Sequence, residues 1–101
     1  MWVDFDPTIG HEQSGVRPAL VLTDSSYNAS RGLCVVCPIT SQVRGYPFEV
    51  PLPTELPKPS AILVDQVKTI DWKSRTLRFI AKCPIPVLNE VEAKLKALLN
   101  L

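Results

Sequence analysis

The chain has 101 residues, with 11 Lys and Arg against 10 Asp and Glu and a single histidine, for a formal net charge of +1. That length is read as one domain spanning 1–101 with a modest core, and so balanced a charge supplies no overall field that draws the chain to nucleic acid or to a membrane. No apolar run is long enough to span a bilayer and no charged-then-apolar leader is present, so a cytoplasmic protein with no membrane association is expected.

In chain order, Trp2 to Asp6 alternates, with Val3 and Phe5 on one face and Asp4 and Asp6 on the other, which predicts a half-buried strand. Ile9-Gly10-His11-Glu12-Gln13-Ser14-Gly15-Val16-Arg17-Pro18 follows as a polar loop, and Pro18 to Thr23 reads as the next strand. A mere connector has no reason to gather the only histidine, a carboxylate, an amide and an arginine within seven residues. The loop is therefore a candidate active-site loop on a small β scaffold. Asp24 to Gly32 is rich in Asp, Ser and Asn, whose side chains bond their own backbone, and is read as a turn-rich crossing.

Leu33 to Ile39 is continuously apolar and predicts a central strand buried on both faces, ending in the small polar trio Thr40-Ser41-Gln42. Phe48, Val50 and Leu52 alternate with Glu49 and Pro51, and the proline places this strand at an edge. Pro53 to Ser60 is a proline-rich surface excursion. Ala61 to Ile70 reads as one strand, Asp71 to Arg75 as a turn, and Leu77, Phe79 and Ala81 alternate through the last strand. Beyond Pro86, the residues Val87, Val91, Leu95 and Leu98 form one apolar helical stripe. The sum is an all-β barrel with a C-terminal helix.

Three cysteines do not suit a disulfide framework. Cys34 and Cys37 stand three apart, so on a strand they point to opposite faces. Only Cys83 and His11 remain as further zinc ligands, at irregular spacing, so no metal site and no cofactor are expected and the thiols are read as buried and reduced. Asp65 is the second anomaly. By period two it shares a face with Ala61, Leu63 and Val67, which places a carboxylate on an apolar face, where it needs donors or shifts its pKa. Such placement marks either a functional carboxylate or a structural one bonding loop amides.

The stretch Trp2-Val3-Asp4-Phe5-Asp6-Pro7, followed by Gly10-His11-Glu12-Gln13-Ser14-Gly15-Val16-Arg17-Pro18, resembles the opening of the MazF/PemK (Kid) family of toxin endoribonucleases. Pro38-Ile39-Thr40-Ser41, Gly45-Tyr46-Pro47-Phe48-Glu49-Val50, Asp65-Gln66-Val67-Lys68-Thr69-Ile70 and the closing helix continue the resemblance in order over nearly the whole chain. The resemblance implies a compact SH3-like barrel of the CcdB/MazF type. It implies a homodimer that cuts single-stranded RNA without a metal, by attack of the ribose 2′-hydroxyl on the adjacent phosphorus, leaving a 2′,3′-cyclic phosphate and a 5′-hydroxyl. It also implies a cognate antitoxin whose disordered, acidic segment orders on binding.

On this resemblance Arg17 is the catalytic arginine, Thr40 the strand-end threonine, and His11 and Asp65 the acid/base candidates. The sequence departs from the PemK branch at Leu63, where that branch carries an arginine, so the acid role passes to Arg17; it also has fewer residues ahead of the tryptophan than the family usually has. Between Lys68 and Lys82 five cations face one carboxylate, Asp71, and Lys68, Lys73 and Arg75 become candidate phosphate contacts. Glu12, Gln13, Ser41, Gln42 and Gln66 are candidates for reading base edges, and Tyr46 and Trp72 for stacking. Two alternatives stand beside the nuclease: a gyrase-directed toxin of the CcdB type, and a non-catalytic SH3-like module that binds peptides.

Overall fold

A computed structural model of the protein describes residues 8–12, 17–52, 59–73 and 77–101. The strand expected at 2–6 and most of the proline-rich excursion lie outside these residues. Seven strands are described: β1 (Thr8–Glu12), β2 (Arg17–Val21), β3 (Leu33–Thr40), β4 (Glu49–Leu52), β5 (Ser60–Leu63), β6 (Lys68–Asp71) and β7 (Leu77–Lys82). Two helices join them, α1 (Ser25–Arg31) and α2 (Ile85–Leu99). The sheet runs in the order β4-β5-β3-β2-β1-β7, with β6 also on β3, and among the described residues that path stays open. The architecture is the expected one, mostly β with a C-terminal helix, and β4 with its Pro51 is the expected edge.

Three elements differ from expectation. The segment read as a polar loop is largely strand: β1 carries His11 and Glu12, β2 begins at Arg17, and these two strands pair antiparallel. The turn-rich crossing is instead helix α1, whose N-terminus is capped by the Asp24 carboxylate accepting the Tyr27 N–H at 2.9 Å. Gly32 closes it at φ +70, a left-handed conformation that glycine adopts without penalty. The third is the strand expected from Ala61 to Ile70. It breaks into β5 and β6 around a 3-10 turn, Val64–Gln66. β5 pairs Ile62 with Ile39, whereas β6 pairs Lys68 with Val36, a register slip of three residues that the turn absorbs.

β3 organises the core. Its two ends bury opposite faces: Cys34 and Val36 pack with Val21 and Ile70, whereas Cys37 and Ile39 pack with Leu20, Ile62 and the helix residues Val87 and Val91. The cross-strand pairs agree, since Leu20 lies opposite Cys37 in one cluster and Val21 opposite Val36 in the other. Burial on both faces thus holds for the strand as a whole, with the face changing between Val36 and Cys37. Helix α2 covers β4 and the 3-10 turn, with Val87 and Val91 buried and Leu95 partly buried on its predicted stripe.

Candidate active site

Three strand ends meet at one end of the sheet. β1 finishes at Glu12, β2 starts at Arg17 directly opposite it, and β3 finishes at Thr40 on the far side of β2. The β2–β3 register pairs Ala19 with Pro38, and continued to the strand ends it sets Arg17 across from Thr40. Glu12 and Arg17 are thus a cross-strand pair, and Thr40 ends the strand on the other side of β2, with about 5 Å between neighbouring paired strands. His11 falls in the next row with Pro18, the row that leads to buried Ile39. Successive rows belong to opposite faces of a sheet, so the two neighbours His11 and Glu12 are not equivalent. Gln13 lies outside the described residues.

At Thr40, Oγ1 accepts the Gln42 N–H at 3.0 Å, which turns the chain out of β3 and leaves the hydroxyl proton to donate. Ser41 and Gln42 are exposed at this turn, and the Gln42 side-chain oxygen accepts from Arg44 Nη2 at 3.4 Å. Asp65 stands otherwise than period two suggested. The 3-10 turn removes it from the apolar face and leaves it and Gln66 exposed, beside β3. The carboxylate still acts at short range, because its charge adds to burial in pushing the Cys37 thiol up to about 12.

The cations divide. Lys68 is exposed on β6 opposite Val36, but Lys73 follows β6 at the Leu33 end of β3, with its aliphatic stem against Gly32. At about 3.3 Å per residue, Leu33, the partner of Asp71, lies roughly 23 Å along β3 from Thr40, and Lys73 is two residues beyond Asp71. Arg75 lies outside the described residues. Trp72, a candidate for stacking bases, is half-buried in the second cluster and donates its indole N–H to the Asn28 carbonyl at 2.9 Å, a packing role. Tyr46, by contrast, is 59% exposed.

Two residues that bond the backbone of the loop after Thr40 escaped the sequence. Glu49 alternates with apolar neighbours and so reads as outward, yet it is only 6% exposed, and its carboxylate accepts the backbone N–H groups of Arg44 and Gly45. Lys94 is on the polar flank of the α2 stripe, and its ammonium donates to the carbonyls of Pro47 and Glu49. The only sequence signal for Lys94 is its position beside Val91 and Leu95.

A family model described as the PemK-like, MazF-like toxin of type II toxin–antitoxin systems matches residues 1–99. The chain belongs to that family. It is 42% identical over 100 residues to the endoribonuclease toxin MazF of Escherichia coli K12, covering 99% of this chain and 89% of the relative. To the endoribonuclease PemK of Escherichia coli it is 37% identical over 102 residues, covering 97% and 77%. Among solved structures, a MazE–MazF complex from Deinococcus radiodurans superposes on all of this chain with a TM-score of 0.90 and 40% identity, over 100% of its own length. The fold is that of the MazF toxins. With endoribonucleases as relatives, the gyrase-directed and peptide-binding alternatives lose their support.

Proposed function

We propose that this MazF-type toxin, acting as a single domain over 1–101, is a metal-independent endoribonuclease that cuts single-stranded RNA in the cytoplasm through the substrate's own 2′-hydroxyl. The observation that carries the reading is that β1, β2 and β3 are neighbours whose ends carry Glu12, Arg17 and Thr40, in a chain whose relatives are endoribonucleases. A base takes the 2′-hydroxyl proton, the O2′–P bond forms, the P–O5′ bond breaks, and the departing oxygen is protonated. The nucleophile is already tethered to the phosphorus, so alignment rather than activation of a protein side chain supplies most of the rate. Arg17 grips the non-bridging oxygens with its planar fork and hands the 5′ oxygen its proton. The Thr40 hydroxyl donates to the same phosphoryl group.

Glu12 is favoured for the base, because it is the cross-strand partner of Arg17 whereas His11 is that of Pro18. Asp65, exposed on the other side of β3, is the third candidate. A cognate antitoxin and a homodimer complete the proposal. The Deinococcus relative was solved as a MazE–MazF complex, and an acidic antitoxin segment laid across the Arg17 end of the sheet would compete with RNA.

The test is incubation of the purified chain with mixed-sequence single-stranded RNA in EDTA, beside Arg17→Ala, Glu12→Gln, His11→Gln and Asp65→Asn. Ends bearing 2′,3′-cyclic phosphate are expected from the unaltered chain, and none from a folded Arg17→Ala. Removing the base is expected to cost about 10²–10⁴-fold and the acid limb of the pH–rate profile, with Glu12→Gln showing the largest loss. Full activity in Arg17→Ala refutes the mechanism. A larger loss in His11→Gln or Asp65→Asn moves the base to that residue.

A further inference from the structure

The loop after Thr40 is held more firmly than a connector requires. From β4, the buried Glu49 carboxylate accepts the Gly45 N–H at 2.9 Å and the Arg44 N–H at 3.1 and 3.4 Å. From helix α2, the Lys94 ammonium caps the carbonyls of Pro47 and Glu49, with the Glu90 carboxylate 3.5 Å away. Beneath the loop, Val64 of the 3-10 turn donates its N–H to the Phe48 carbonyl at 3.0 Å. Gly45 sits at φ +77, a backbone state in which a side chain would be strained. Burying a carboxylate is costly unless its acceptors are filled, and here backbone N–H groups of one loop fill them.

The loop presents side chains of the opposite character. Gln42, Val43, Arg44 and Tyr46 all face solvent, with Val43 45% and Tyr46 59% exposed, directly after the Thr40 turn. A fixed backbone carrying an exposed aromatic ring, a guanidinium and an amide binds without first having to be ordered. We infer that Glu49 and Lys94 are positioning residues that hold loop 41–48 as a platform for the nucleotide next to the scissile phosphate, where Tyr46 stacks on the base. The inference rests on the nuclease reading above and deepens it, because it assigns RNA sequence preference to a loop controlled from the C-terminal helix. Neither residue touches the reacting atoms.

Lys94→Met tests it, since Lys94 lies on the helix surface and its loss leaves the core packing intact. The kinetics of a preferred RNA and of single-base variants are compared with those of the unaltered chain and of Lys94→Arg. Loss of uniform binding raises KM without lowering kcat, so KM is expected to rise about tenfold and base discrimination to shrink about tenfold, with kcat within about twofold. Lys94→Arg restores most of both. Tyr46→Ala is expected to reproduce the KM effect, and Tyr46→Phe is not. An independent readout is amide hydrogen exchange at Arg44 and Gly45 without RNA, which accelerates in Lys94→Met and more in Glu49→Gln.

Unchanged KM, unchanged base preference and unchanged exchange in folded Lys94→Met overturn the positioning role while leaving the nuclease standing. A fall in kcat alone overturns it too, since that places Lys94 in the chemical step. Failure of the unaltered chain to cut any RNA overturns the nuclease reading, and with it the platform, even where the exchange result shows the loop to be clamped.

Discussion

Cys34, Cys37 and Cys83 are buried and free, and they occupy both clusters of the core. Burial disfavours each thiolate, pushing Cys34 and Cys83 up to about 11 and, with the Asp65 charge added, Cys37 up to about 12. In the unfolded chain these groups ionise near the ordinary thiol value. A raised folded pKa means that the native state keeps a proton that the unfolded state has released. The linked stability is whole below the unfolded pKa and is lost as pH climbs towards the folded one. Between about pH 9 and 11 each thiol should cost up to about 1.4 kcal/mol per pH unit. Urea unfolding across that range should show the decline, with a shallower slope in Cys37→Ala; equal slopes would mean that Cys37 ionises in the folded core. That these residues are buried thiols was legible from their odd number and apolar flanks. That Glu49 is buried was not, because alternation on an edge strand cannot show which backbone N–H groups a later loop folds back onto a carboxylate.

Helix α1 shows how the type of a short element can be hidden in the sequence. Its seven residues carry no apolar stripe, and Asp, Ser and Asn serve turns and helix caps by the same local hydrogen bonds. Tertiary contacts decide the matter. Asn28 is fully buried; its Oδ1 accepts the Thr23 hydroxyl at 2.6 Å, its Nδ2 donates to the Thr23 carbonyl, and its own carbonyl accepts from Trp72. Thr23 Oγ1 in turn accepts the Val35 N–H at 3.1 Å, which bolts the helix to β3. Leaving such groups buried without partners costs about 1–3 kcal/mol, so Asn28→Ala is expected to lower unfolding free energy by that amount. The helix packs at the Leu33 end of β3, away from Thr40, and RNA cleavage at saturating substrate should be unchanged. The 3-10 turn was equally hidden. Val64 and Val67 keep the run apolar through the break, and the three-residue slip, which exchanges faces, coincides with the change of buried face along β3, so that Ile62 and Ile70 keep the same parity. Arg17 and Thr40 could be named as candidates from the sequence, but that their strand ends lie at one end of the sheet depends on β2 and β3 being neighbours.

For the molecule as a whole, a net charge of +1 means that the RNA of the proposed reaction would be held by the contacts it makes rather than by a long-range field. The sheet gives those contacts a direction. From Thr40, Lys68 lies about 13 Å along β3 and Lys73 lies beyond about 23 Å. Each phosphate neutralised by a lysine releases counterions, adding about 0.7 to the slope of log affinity against log salt for a single strand. Lys68→Ala is therefore expected to reduce that slope by about 0.7 for any RNA that reaches beyond the scissile step. Lys73→Ala should leave the slope unchanged for an oligonucleotide too short to cover about 23 Å, and should lower it only for longer strands. Titrations of a short and a long RNA at several salt concentrations, with catalysis blocked by Arg17→Ala, separate the two lysines. Equal loss from both variants on the short RNA would mean that the strand crosses the sheet instead of running along β3 and β6. The groove would then have to be redrawn around Glu12, Arg17, Thr40 and loop 41–48 alone.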